Sequence, residues 1–141
     1  MSGADFLDSN ILVYLFDPAD ARRKGIAERL VSRAHHEGTA IVSFQVVQET
    51  LNVLTRKLRP AMSREDARLA LQNVLVPLWR VQPSAALYGR ALDLQERYKF
   101  SFYDALIVAA ALEAGCPRLL SDDLQLGQRI EGLTIKNPFL P

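Results

Sequence analysis

Phe6-Leu7-Asp8-Ser9-Asn10-Ile11-Leu12 decides how this chain is read: an apolar pair, three polar residues led by an aspartate, then a second apolar run. Phe6-Leu7 reads as a short strand, and Asn10 to Phe16 as a short helix that stops before Asp17-Pro18. The same grammar returns near the other end as Leu119-Leu120-Ser121-Asp122-Asp123. Charge at the edge of a core is costly unless something compensates it, so two such aspartates call for an explanation.

Working outward, short apolar runs alternate with longer amphipathic ones. Ala21 to His36 places Ile26, Leu30, Val31 and Ala34 on one helical face and ends at Gly38, a residue suited to a C-cap. Ala40 to Ser43 is a second strand. Gln45 to Leu58 is a helix with Val47, Leu51, Leu54 and Leu58 inward, halted before Pro60. Ser63 caps the next helix, with Asp66 three residues on. Leu78 to Val81 is a third strand and Ala85 to Tyr98 another helix. Phe102 to Ala114 is apolar nearly all round and so is buried. Arg118 to Leu120 and Leu133 to Lys136 complete five strands. Alternation of this kind argues for a parallel sheet with helices on both faces, whose sites form at the carboxyl ends of the strands. Asp8 and Asp122-Asp123 fall at two of those ends.

Two further acids interrupt apolar helical patterns. Glu49 lies between Val46 and Val53 on its helix, at the margin of the buried stripe, where a salt bridge is the competing explanation. Asp104 sits three residues after Ser101, which also fits a capping box, and an acid there favours the helix dipole. Asp8 alone fits a turn or capping acid. Local chemistry does not choose between Asp122 and Asp123. Each residue singly has an ordinary structural explanation; the topology brings all of them to one sheet edge. Hard oxygen ligands without a partnering Cys or His favour Mg²⁺ or Mn²⁺ over zinc. His35-His36 has no second His or Cys at ligand spacing and reads as surface.

The 141 residues are read as one domain, 1–141, with 49% hydrophobic and 23% charged residues, an ordinary soluble composition. Cys116 is the single cysteine, a packed thiol that suits a reducing compartment. Met1-Ser2-Gly3-Ala4-Asp5 shows no signal peptide and no stretch is a membrane span, so a cytoplasmic location is expected. The net charge is +1, which becomes +5 once the four proposed ligand charges are set aside. A basic body around an acidic, metal-filled pocket suits a polyanionic substrate.

Taken together, Phe6 to Tyr14, Gln48-Glu49-Thr50-Leu51-Asn52-Val53-Leu54, Ser101-Phe102-Tyr103-Asp104-Ala105-Leu106-Ile107 and Leu119 to Leu124 resemble the motifs of PIN domains (named for the PilT N-terminus). Within them the chain resembles the toxin component of virulence-associated B/C (VapBC-type) toxin–antitoxin pairs, over essentially its whole length. The resemblance implies a three-layer α/β/α fold around a mainly parallel five-stranded sheet, and a metal-dependent ribonuclease. Its metal-binding acids carry over onto Asp8, Glu49, Asp104 and Asp123, the last because the terminal motif reads Thr or Ser, any residue, then Asp, leaving Asp122 as spacer.

On that reading Asp8 and Asp104 anchor a first Mg²⁺ or Mn²⁺ ion. Glu49 and Asp123 act through water or hold a second, and Ser121 orients a water or phosphate oxygen. Arg22, Arg23, Lys24, Arg56, Lys57, Arg59 and Arg64 are candidates to meet RNA phosphates. Tyr14 and Tyr103 could stack on bases, with core packing the preferred reading of both. The implied partners are an RNA substrate, a cognate antitoxin that lays an apolar helix across the protein, and a second copy in a homodimer. The alternatives are a catalytically silent PIN fold that binds RNA or protein, and a phosphotransferase-like domain with Asp8 as nucleophile. The second of these is disfavoured by Asn10, where a haloacid dehalogenase pattern needs an aspartate.

Overall fold

The computed structural model describes residues 3–124 and 128–141. Met1 and Ser2, part of the stretch read for a leader, lie outside the described residues. The elements are β1 (Asp5–Leu7), α1 (Ser9–Phe16), α2 (Ala21–Glu37), β2 (Ala40–Ser43), α3 (Phe44–Arg56), α4 (Arg64–Ala70), β3 (Trp79–Val81), α5 (Ala85–Tyr98), α6 (Phe102–Glu113), β4 (Arg118–Leu120), β5 (Arg129–Ile130) and β6 (Leu133–Lys136). Between α4 and β3 the helix widens into a π-turn over Leu71–Leu75 and tightens into a 3-10 turn over Val76–Leu78. That turn takes Leu78, expected in the strand, out of β3.

The strands form one sheet in the order β3-β2-β1-β4-β6-β5. Every pairing is parallel except β5 with β6. The layering is the expected α/β/α, with six strands instead of five. The added strand, β5, has two residues and turns back onto β6 through Glu131 and Gly132, both at positive φ (52° and 94°). Two consecutive positive φ values make the tight hairpin turn whose twist matches paired strands.

The hydrophobic signals account for most of the rest. In β2 all four residues are buried, as a central parallel strand requires. Helix α6 is buried continuously from Ala105 to Ala111, its small side chains letting it lie close to α5 and β4. Gly38 caps α2 in the left-handed conformation (φ 69°) that a side chain disfavours. Ser43, Ser63, Ser84 and Ser101 each accept a backbone N–H at a helix start.

What matters for function is where the strand order reverses. Successive strands run outward from β1 to β3, and the chain then crosses back to place β4 on the other side of β1. Leu7 pairs with Leu120, so the segments leaving β1 and β4 emerge side by side and part in different directions. This is the switch point at which open α/β sheets form their crevice.

A carboxylate cleft at the switch point

Asp8 leaves β1 and caps α1. Its backbone N–H continues the ladder to the Leu120 carbonyl (3.0 Å), and its Oδ1 accepts the Ser9 N–H (2.7 Å). The side chain is therefore both a cap and a charge at the end of the core, 7% exposed. Burial pushes its carboxyl up to about 6. Hydrogen bonds from Ser121 and Ser9 pull the other way, and the nearby Glu49 and Asp123 charges add to the rise. No counter-charge offsets this; among the described residues, none of Asp8, Glu49, Asp104, Asp122 or Asp123 is in an ion pair.

Ser121 organises the loop after β4. Its fully buried hydroxyl donates to Asp8 Oδ2 (2.8 Å) and accepts from the Asp123 and Leu124 N–H groups (3.1 and 3.4 Å). Asn10, on the first turn of α1, closes the arrangement from the other side. Its Nδ2 lies 3.1 Å from Asp123 Oδ2, 3.3 Å from Ser121 Oγ and 3.4 Å from Asp8 Oδ2, while its Oδ1 accepts the Asp122 N–H (3.3 Å). The two aspartates after Ser121 diverge. Asp123 lines the cleft, whereas Asp122 engages the Tyr14 hydroxyl; burial and then this acid raise the phenol, and burial raises Asp122 itself.

The other two acids come from helices. Glu49, half-buried on α3, receives the Gln45 Nε2 (3.1 Å), so the expected salt-bridge alternative is not realised. Asp104 is exposed on the first turn of α6. Its backbone N–H donates to Ser101 Oγ (3.2 Å), yet among the described residues its carboxylate has no hydrogen-bond partner. Only half of the expected capping box forms, and the carboxylate remains available.

Asp8, Glu49, Asp104 and Asp123 line one open cleft of about 370 Å³, joined there by Asn52 and Lys57. Ser121 is not on its wall but behind Asp8. Among the described residues, no three His, Cys, Asp or Glu side chains stand at metal-holding spacing, so the cleft is not a closed chelate. The donor set nonetheless suits a hard divalent cation: only carboxylate oxygens converge, one of them desolvated and none neutralised by a cationic partner. Glu49 is partly exposed and Asp104 and Asp123 are exposed, so all three carboxylates are accessible from the cleft.

Several other expectations resolve here. His35 and His36 are exposed and bonded to backbone carbonyls. Cys116 is buried, its thiol pushed up to about 11 by desolvation, as a packed thiol should be. Tyr14 packs edge-on against Phe139 (5.0 Å), but Tyr103 is 65% exposed, against the expectation that it belongs to the core. The basic triplet has structural tasks: Arg22 bonds the Phe139 carbonyl, Arg23 pairs with Asp20 (2.9 Å), and Lys24 bonds the Leu15 carbonyl (3.0 Å). Of the candidate phosphate contacts, Lys57 is the one on the cleft wall. Gln45 is the site residue that sequence reading does not single out; Asn10 is legible there only as a polar neighbour of Asp8. No helix among the described residues is long and apolar enough to cross a membrane.

Solved structures share this architecture. The chain is similar to the sarcin-ricin-loop-cleaving toxin VapC20 of Mycobacterium tuberculosis, at 25% identity and TM-score 0.65, over 85% of this chain and 92% of that one. It is also similar to VapBC2 of Rickettsia felis, solved bound to a promoter DNA fragment, at 19% identity and TM-score 0.67, over 95% and 98% of the two chains. A toxin–antitoxin complex from Klebsiella pneumoniae matches at 20% identity and TM-score 0.66, over 96% and 98%. No curated protein matches the chain significantly. The PIN domain family model matches residues 6–129, a span that holds β4 and all four cleft carboxylates: the chain belongs to the PIN domain family.

Proposed function

We propose that this protein is a Mg²⁺- or Mn²⁺-dependent endoribonuclease, hydrolysing RNA phosphodiester bonds in the cytoplasm as the toxin of a type II toxin–antitoxin pair. One observation carries the reading: Asp8, Glu49, Asp104 and Asp123, from four separate elements, line a single cleft with no ion-paired cation between them. Asp8 and Asp104 anchor the ion, and Glu49 and Asp123 complete its surroundings or help to hold a second. A divalent ion there activates water and offsets charge on the phosphate.

The chain's own side chains do the positioning. Ser121 and Asn10 hold Asp8 and Asp123 in one orientation, so the carboxylates meet a cation with little rotamer freedom left to lose. Ser121 thus acts through Asp8 and not on a water or phosphate directly. Lys57, exposed at the end of α3, offers a point charge to an incoming phosphate without neutralising the acids. The toxin assignment rests on the family and on the toxin and toxin–antitoxin structures it resembles. It brings with it a cognate antitoxin and, by the same analogy, a homodimer.

Purified protein should cleave RNA when Mg²⁺ or Mn²⁺ is present and leave it intact in a chelator. RNA binding without cleavage under either ion would replace this reading with that of a silent binding module. In cells, expression alone should arrest growth, and co-expression of the adjacent reading frame should relieve it.

Asp104 has its own test, because its backbone rather than its carboxylate makes the cap bond. In chelator, Asp104→Ala should change stability by less than the roughly 1 kcal/mol that a lost cap costs. The same variant should lose most of the thermal stabilisation that Mn²⁺ gives the parent. A clear loss in chelator with Mn²⁺ stabilisation intact would remove Asp104 from the ion's surroundings.

A further inference from the structure

Gln45 is a polar side chain where an apolar one is expected. It is the second residue of α3 and 3% exposed, packed among Phe44, Val46 and Val47. Its Nε2 makes two bonds, to Glu49 Oε2 one helical turn on (3.1 Å) and to the Tyr103 carbonyl in the first turn of α6 (3.0 Å). Its Oε1 is buried with no partner. A buried acceptor without a donor costs free energy, so such a group needs a reason to be there.

The amide cannot turn over to relieve this. Turning it would aim Oε1 at a carboxylate and a carbonyl, three acceptors facing one another with no hydrogen between them. The position therefore demands a side chain that donates twice, and its two acceptors belong to the two helical acids of the cleft. One is Glu49 itself. The other is the carbonyl of the residue directly before Asp104. Among the described residues this is the only hydrogen-bonded tie between α3 and α6. Helix α3 packs chiefly on α1, α4, β2 and β3, and α6 on α5 and β4, so little else fixes their separation at this end.

We propose that Gln45 is a positioning residue that sets the reach between Glu49 and Asp104 and thereby the affinity of the cleft for a divalent cation. The inference rests on the metal-dependent reading of the cleft. Gln45 touches neither ion nor substrate; it removes rotamer freedom from Glu49 and pins the first turn of α6 behind Asp104. Partners of this kind behind metal ligands are worth about 10- to 100-fold in affinity.

Manganese binding to the full chain, measured by calorimetry, tests this without reference to cleavage. Gln45→Met keeps length and volume but donates no hydrogen, and Gln45→Leu serves as a second variant. In chelator both should unfold within a few degrees of the parent, since each also removes the orphan Oε1. Mn²⁺ affinity should fall by about tenfold. Because the effect runs largely through Glu49, Gln45→Met should lower affinity by no more than about twofold in a Glu49→Gln background. A full tenfold loss in that background, or none in the parent, would overturn the proposal, as would failure of both variants to fold, which would assign Gln45 to stability. If the parent binds Mn²⁺ and Asp8→Asn does not, an unchanged Gln45→Met refutes the role of Gln45 alone. If the parent binds no Mn²⁺, the reading of the cleft fails with it.

Discussion

Asp8→Asn should abolish RNA cleavage and, in a chelator at pH 7.5, make the protein more stable than its parent. The two effects have one cause. Burial raises the folded-state pKa of Asp8 from 3.8 to about 6, so ionising the carboxyl costs more in the folded chain than in the unfolded one. Below about pH 4 both states are protonated and Asp8 contributes nothing. Between about 4 and 6 stability falls as pH rises, and above 6 the full cost of burying the charge is present. Two pKa units correspond to roughly 3 kcal/mol, an upper value because an amide fits the Ser9, Ser121 and Asn10 contacts less well. Asparagine does not ionise, so the variant should lack this slope in denaturant unfolding followed from pH 4 to pH 8. Saturating Mn²⁺ should close this gap, stabilising the parent by about 2.7 kcal/mol at a hundredfold excess over Kd and the variant hardly at all. Retained cleavage in Asp8→Asn would remove Asp8 from the catalytic site; parallel pH slopes would show that Asp8 carries no buried charge.

How much of this is legible in the sequence follows from the range of the interaction behind each feature. Helix α5 and strand β2 are readable to the residue, because Ser84, Tyr98 and the Ala40–Ser43 run are local signals. That Asp8 and Ser121 share one edge of the sheet is readable as topology, since parallel strands present their carboxyl ends together, while the direct pairing of β1 with β4 is set by the fold. Strand β5 is too short for periodicity, and its trace is Glu131-Gly132 between Ile130 and Leu133, a hairpin signal easily passed over. The contacts of Asn10 and Gln45 escape for another reason. Their partners Asp123 and Tyr103 lie 113 and 58 positions away, and a polar residue inside a helix says nothing about what it meets across the fold. Local chemistry does not separate Asp122 from Asp123, and the family resemblance selects Asp123; in the fold Asn10 and Tyr14 engage Asp122 while Asp123 lines the cleft. Arg22-Arg23-Lys24 looks like a phosphate-binding run, yet Arg22 and Arg23 engage the C-terminal Phe139 through its carbonyl and ring.

Ser121→Ala should be among the most damaging single substitutions in the cleft, and its cost should depend on pH. The hydroxyl is fully buried and serves Asp8 Oδ2, the Asp123 and Leu124 N–H groups and the Asn10 amide at once. Alanine leaves donors and a carboxylate facing the space of a single oxygen atom, too little to admit a compensating water. Losing a hydrogen bond to a buried charge, with neighbouring donors left unpaired, costs roughly 3 kcal/mol. The Ser121 bond is also what pulls the Asp8 carboxyl down against burial, so without it the folded-state pKa moves above about 6. A donor favours the ionised form more than the neutral one. The destabilisation measured in chelator should therefore be smallest near pH 4, where Asp8 is protonated in the folded state of parent and variant alike, and should grow through pH 6 and beyond. Since a cation must displace that proton, the pH at which Mn²⁺ begins to stabilise the variant should move upward as well. A loss of stability that is the same at pH 4 and pH 8 would mean that Ser121 merely fills space in the loop after β4. A pH-dependent loss would show that the loop is built around the charge of Asp8, which ties the folding of this edge of the sheet to the chemistry of its cleft.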